Sequence, residues 1–122
     1  MTARLTIDDV ARLAPNVQTQ LFHIVQEALN NTLKHAAASM VRIRLQTQDE
    51  ATLLEIVDNG RGFDPAEVAT AGGMGLASMR ERVEALGGLF NLDSAPGQGT
   101  IIRVTLRTMD GNNGQKIADT DL

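Results

Sequence analysis

The stretch Val17-Gln18-Thr19-Gln20-Leu21-Phe22-His23-Ile24-Val25-Gln26-Glu27-Ala28-Leu29-Asn30-Asn31-Thr32-Leu33-Lys34-His35-Ala36 decides how the rest of the chain is read. Val17, Leu21, Ile24, Val25, Ala28, Leu29 and Leu33 recur at helical spacing, which predicts one long amphipathic helix over 17–36. Asn30-Asn31-Thr32 breaks the local rule, since each such residue costs roughly 0.5 kcal/mol or more relative to Ala inside a helix. A rule broken inside a well-formed element often marks a site. At about 100° per residue, Glu27, Asn31, Lys34 and His35 share one arc at the border of the apolar stripe. A carboxylate, a carboxamide and two nitrogen bases thus project together. A carboxamide oxygen suits Mg²⁺, and a neighbouring carboxylate suits a general base. A solvated polar face would account for the same residues taken alone.

Outward from this helix the pattern changes period. Residues 3–7 have the makings of a short strand, and Pro15 is expected to break any helix within Asp8–Asn16. After the helix, the alternation in Val41–Leu45 and Thr52–Val57 predicts an antiparallel hairpin joined through Thr47–Ala51. Helical spacing returns at Leu76, Met79, Val83 and Leu86, and Gly87-Gly88 has the form of a C-terminal cap. Leu89–Asp93 and Thr100–Leu106 flank Pro96-Gly97-Gln98-Gly99 as a second hairpin. The polar stretch 109–122 is expected to be a disordered tail, leaving 1–108 as the domain. Two helices and about five strands give an α/β (α+β) fold: a two-layer sandwich whose mixed, mostly antiparallel sheet carries helices on one face.

Two further stretches carry chemistry. Asp58-Asn59-Gly60-Arg61-Gly62-Phe63 opens with a turn signal, yet no returning strand follows it. A plain hairpin turn is one reading. The other is a carboxylate at a strand end beside glycines, where a ligand's donor group can approach closely. Gly72-Gly73-Met74-Gly75 leads into the helix at Leu76, so free N–H groups and the positive dipole end face an anion. A flexible connector would have the same composition. No Gly-Lys-Ser/Thr follows, which excludes a Walker A loop, and a dinucleotide fingerprint lacks its third glycine.

Composition removes several classes. The 122 residues carry a net charge of −4, which argues against nucleic-acid binding and direct membrane contact. With three Phe and neither Tyr nor Trp, the chain lacks the stacking platforms of a single-strand binder. The absence of cysteine rules out disulfides, thiolate metal sites and thiol catalysis. No apolar run approaches the roughly 20 residues of a membrane span, so a cytoplasmic location is expected.

At this point the residues resemble a known family. Gln26–His35 is similar to the N box of the GHKL (Bergerat-fold) ATPases, in the form found in sensor kinases of the nitrate/nitrite-sensor and desaturase-thermosensor group. Asp58–Phe63 resembles the first glycine box, Gly73-Met74-Gly75-Leu76 with Met79-Arg80-Glu81-Arg82 the second, and Gly97-Gln98-Gly99-Thr100 the last. The resemblance spans residues 21–106 with the motifs in the family's order. It implies that the domain binds Mg·ATP in a two-layer sandwich beneath a lid. Asn31 would ligate Mg²⁺, Glu27 would be the N-box acid and candidate base, and Asp58 would accept the adenine amino group. Gly60 and Gly62 would permit close approach, and Thr100 would bond beside Asp58. Gly73, Met74, Gly75 and Leu76 would flank the triphosphate, and Lys34 and His35 would face phosphates.

The resemblance also implies partners: a dimerisation and phosphoacceptor histidine domain of the same kinase, and a response regulator. The chain departs from the family in two respects. The lid of about Asp64–Gly72 is short and lacks a phenylalanine box, and no helical hairpin bearing an acceptor histidine is present. Two other readings stand beside the histidine kinase: an anti-sigma serine kinase of the same superfamily, and a non-catalytic interaction module.

Overall fold

A computed structural model describes residues 1–8, 13–48, 50–67 and 75–107. Strand β1 (Thr2–Ile7) leads to helix α1 (Pro15–Asn31), whose last residues pass into a π-helical turn (Thr32–Ala36). The hairpin β2 (Met40–Gln48) and β3 (Ala51–Asp58) follows, then helix α2 (Leu76–Ala85) and the hairpin β4 (Leu89–Ser94) and β5 (Thr100–Arg107). The five strands form one sheet in the order β1-β2-β3-β5-β4; β1 runs parallel to β2 and every other pair is antiparallel. The expected mixed, mostly antiparallel sheet is what the chain forms.

Pro15 opens α1, two residues before the expected start at Val17. At the first helical position its fixed φ is already helical, and its missing N–H would have had no partner there. The other end also departs from expectation. Thr32 folds its hydroxyl back onto the Ala28 carbonyl at 3.1 Å, and the helix widens into the π turn. Ala37 then stops it in the left-handed region at φ 51. Helix α2 ends in a Schellman cap: the Gly88 N–H reaches Val83 O at 3.0 Å and the Gly87 N–H reaches Glu84 O at 2.9 Å. The first hairpin is tighter than its sequence suggests, because the ladder extends to Gln48 opposite Ala51.

One face of the sheet holds the core. Leu21, Ile24 and Ala28 of α1 and Met79 and Val83 of α2 pack on Val41, Ile43, Leu54, Ile56, Ile102 and Val104, all buried. Each of these side chains other than Ala28 contributes about 1.5–3 kcal/mol relative to exposure. The two helices are tied together by Arg82, which donates to Gln20 Oε1 at 2.6 Å. Arg80 lies 4.9 Å over the Phe90 ring and covers the sheet's far edge. The opposite face carries a charged cluster, with Glu55 accepting from Arg103 at 2.9 Å and facing Arg44 at 3.7 Å. Among the described residues, no helix is long and apolar enough to cross a membrane. The expected tail, 109–122, lies outside the described residues.

Candidate nucleotide site

Between the end of α1 and the ends of β3 and β5 the sheet and helix part, leaving a cavity of about 260 Å³. Its apolar surface comes from Ala28, Ile56, Ile102 and Leu76, and its polar groups from Asn31, Thr32, Asp58 and Thr100. Strand register places the last two. Asp58 is the terminal residue of β3 and lies opposite Thr100, the first of β5, so both point to the core face where the core runs out.

Asp58 is oriented by its own loop. The Gly60 N–H donates to Oδ1 at 2.9 Å, and the buried Thr32 hydroxyl stands 3.4 Å from Oδ2. Asn59 points the other way and anchors the turn: its Oδ1 accepts the Ser39 and Met40 N–H groups at 3.0 Å each, and its Nδ2 donates to Ser39 Oγ at 2.8 Å. The Asn-Gly pair therefore braces a loop that leaves the sheet, which explains why no returning strand follows it.

The same loop is strapped to the β4–β5 turn. Gly97 N–H donates to the Arg61 carbonyl at 2.5 Å, and Phe63 N–H donates to Ser94 Oγ at 3.0 Å. Gly62 sits at φ 65, where a Cβ would collide with the Ala95 carbonyl oxygen and stand 2.9 Å from that of Gly99. Only glycine fits.

Glu27 stands one turn before Asn31 on α1. It is half-buried, and among the described residues its carboxylate has no hydrogen-bond or ion-pair partner. It abuts Gly75, the residue preceding α2, where a Cβ would strike the carboxylate. With Asn30, Ser78 and Arg82 it lines a second, more polar cleft of about 300 Å³ between α1 and α2.

Of the residues singled out in the sequence, Asn31, Asp58, Gly62, Leu76 and Thr100 line one cavity. Gly60 acts through Asp58, while Glu27 and Gly75 meet at the neighbouring cleft. Lys34 is exposed and is not part of the cavity lining, because the π turn after Asn31 changes the angular spacing on which the shared arc relied. The side chain of His35, and Gly73 and Met74 entirely, lie outside the described residues. Sequence reasoning missed Thr32 as a partner of Asp58, and Phe63 and Arg61 as lining groups. Thr32's signal was its place four residues after Ala28, where a hydroxyl can back-bond and face the sheet.

The chain is similar to known proteins along most of its length. Residues 16–110 match the model of the family described as histidine kinase-, DNA gyrase B-, and HSP90-like ATPase. The sensor histidine kinase LiaS of Bacillus subtilis is 36% identical over 116 residues, covering 95% of this chain and 32% of LiaS. The histidine-protein kinase/phosphatase DegS of Brevibacillus brevis is 41% identical over 95 residues, covering 78% of this chain and 24% of DegS. The chain thus spans about a third or less of the length of these relatives. In structure, the histidine kinase domain of a blue-light activated kinase from Erythrobacter litoralis superposes with a TM-score of 0.76 at 23% identity, over 88% of this chain and 51% of that one. At that identity the likeness speaks for the fold.

Proposed function

The chain belongs to the histidine kinase-, DNA gyrase B-, and HSP90-like ATPases, and from that premise we propose that it is the ATP-binding catalytic domain of a cytoplasmic sensor histidine kinase portion. In this reading it donates the γ-phosphate of ATP to a histidine on a dimerisation and phosphoacceptor domain of the same kinase. The phosphate then passes to a response regulator. The observation that carries the reading is the placement of Asp58: a loop-oriented carboxylate at the polar edge of an otherwise apolar cavity.

The cavity, at about 260 Å³, is slightly smaller than the roughly 300–1,000 Å³ that holds a whole drug-sized ligand. It suits the base, with ribose and phosphates lying outward past Asn31 toward Gly75. Asp58 accepts the exocyclic amine. Ile56, Ile102 and Ala28 cover the ring faces. The triphosphate is assigned to the stretch Gly73-Met74-Gly75-Leu76 and to the end of α1, where Lys34 and His35 follow Asn31.

The donor set suits Mg²⁺. Among the described residues no group of three or more His, Asp or Glu is placed to hold a metal. Mg²⁺ commonly takes one or two protein oxygens together with waters and phosphates, and the Asn31 carboxamide offers such an oxygen. Bound there, the ion would neutralise phosphate charge. Glu27, half-buried and with no bond partner among the described residues, would take a proton from an acceptor entering the cleft between α1 and α2.

Calorimetric titration of Mg·ATP and Mg·GTP into wild type and Asp58→Asn tests the reading. Wild type is expected to bind ATP and ignore GTP. Asp58→Asn is expected to lose at least about tenfold in affinity, because a carboxamide in place of a charged acceptor weakens the bond to the amine. Equal binding of GTP, or an unchanged Asp58→Asn, would overturn it.

A further inference from the structure

Ser94 closes β4 behind the cavity wall and does not line the cavity. Register puts it opposite Thr100, which is opposite Asp58, so the three form one row across β4, β5 and β3. A serine hydroxyl has one proton and accepts two hydrogen bonds. Ser94 donates to the Gly99 carbonyl at 2.9 Å, accepts the Phe63 N–H at 3.0 Å, and lies 2.9 Å from Thr100 Oγ1.

That count assigns the protons. Were Ser94 to donate to Thr100, the carbonyl of buried Gly99 would lose the only donor it has among the described residues. Leaving a buried acceptor unpaired is the costlier arrangement. Ser94 therefore keeps its proton on Gly99, and Thr100 donates to Ser94. The Thr100 proton points away from the cavity, and only lone pairs face inward. Asp58 accepts only, and the single Thr32 proton is committed to Ala28 O at 3.1 Å or Asp58 Oδ2 at 3.4 Å. No hydroxyl proton is turned toward the base.

Building on the nucleotide reading above, we infer that Ser94 is a specificity-determining positioning residue. By taking the Thr100 proton it makes the wall formed by Asp58 and Thr100 purely accepting. At the C6 position such a wall admits a 6-amino group, which donates, and opposes a 6-oxo group, whose lone pairs meet those of Asp58 and Thr100. Discrimination of this kind is strongest where a buried polar group would be left unpaired.

The test compares ATP with inosine triphosphate, which differs at that edge, by calorimetry on the whole chain. Wild type is expected to prefer ATP. Ser94→Ala releases the Thr100 proton to meet a 6-oxo group, and the ATP-to-inosine preference is expected to narrow by on the order of tenfold, the worth of one good hydrogen bond. Ser94→Thr keeps the hydroxyl and is expected to keep the preference. Combined with Thr100→Val, Ser94→Ala is expected to change the preference no further, which a merely structural serine would not produce.

A folded Ser94→Ala with the wild-type preference overturns the inference, as does equal narrowing with and without Thr100. Should the alanine variant fail to fold, Ser94→Cys keeps the volume while its sulfur accepts poorly; an unchanged preference there overturns the inference equally. Wild type that binds neither triphosphate overturns the nucleotide reading and the inference with it. Normal ATP binding with a preference indifferent to Ser94 overturns the inference alone.

Discussion

The two ends of the candidate site are built in opposite ways. At the base end, Asp58, Thr100 and Ser94 stand on adjacent strands, and hydrogen bonds among them and to Gly60, Phe63 and Gly99 fix their orientation. At the proposed phosphate end, Glu27 projects from a helix against a glycine, with no bond partner among the described residues, over an open polar cleft. A site that must recognise the same ring in every cycle gains from being fixed beforehand, since less ordering is then needed on binding. A site that must receive a group from another domain gains from unassigned valences, because any internal partner would have to be displaced first. On the proposed reading, the contrast gives recognition to the sheet and transfer to the helix ends.

The largest effect is expected where backbone meets backbone. Gly62→Ala would hold a non-glycine residue at φ 65 and drive its Cβ into the Ala95 carbonyl oxygen, and neither strand end can move without breaking the Gly97–Arg61 and Phe63–Ser94 bonds. The loss should be about 3 kcal/mol, roughly half from the left-handed backbone and half from the displaced turn. Urea unfolding would read it as a lower midpoint at an unchanged slope, with ATP affinity falling in parallel. A loss below about 1 kcal/mol would mean that the base end is not the rigid half.

Legibility in the sequence follows the same division. At the proposed base end, strand period, a strand-terminal Asp58 and the glycines beside it are local signals, whereas the register that sets Asp58 opposite Thr100 comes from the non-local pairing of β3 with β5, which the sequence suggests only through the family resemblance. Even Ser94 had a faint signal, since it and Thr100 flank the turn and must face one another in a hairpin closed there. What stayed hidden was its hydrogen-bond saturation, which depends on Phe63 arriving from a distant loop. The phosphate end was read less well. The shared arc of Glu27, Asn31, Lys34 and His35 assumed one uniform helix, and the π turn beginning at Thr32 ends that uniformity. A change of helical pitch follows from Thr32's bond to Ala28 and from the packing beneath it, neither of which periodicity encodes. Pro15 extends α1 two residues beyond the start that periodicity indicates, since a proline favours a helix's first turn.

The next effect separates transfer from recognition. Glu27→Gln removes a charge that has no bond partner among the described residues, so stability should change by less than about 0.5 kcal/mol. ATP affinity should hold within a factor of about three. Phosphotransfer to the histidine domain in the intact kinase should fall on the order of a hundredfold, the lower range for losing a general base. Parallel loss of ATP affinity and transfer in this variant would merge the two ends and remove the base role from Glu27.

The smallest effect sharpens the comparison most. Gly75→Ala resembles Gly62→Ala in backbone, with φ 62 against 65, yet the Cβ meets the far end of a flexible carboxylate rather than a carbonyl of the main chain. Only the left-handed backbone term should remain, about 1 kcal/mol of stability, because Glu27 can rotate into the open cleft. The displaced Glu27 should then be misplaced for transfer, which ties the two substitutions together. In the intact kinase, Glu27→Gln combined with Gly75→Ala should transfer no more slowly than Glu27→Gln alone, since the second change acts only by moving a group already disabled. Additive losses would show that Gly75 serves the phosphates through its own backbone, and that the phosphate end is as fixed as the base end.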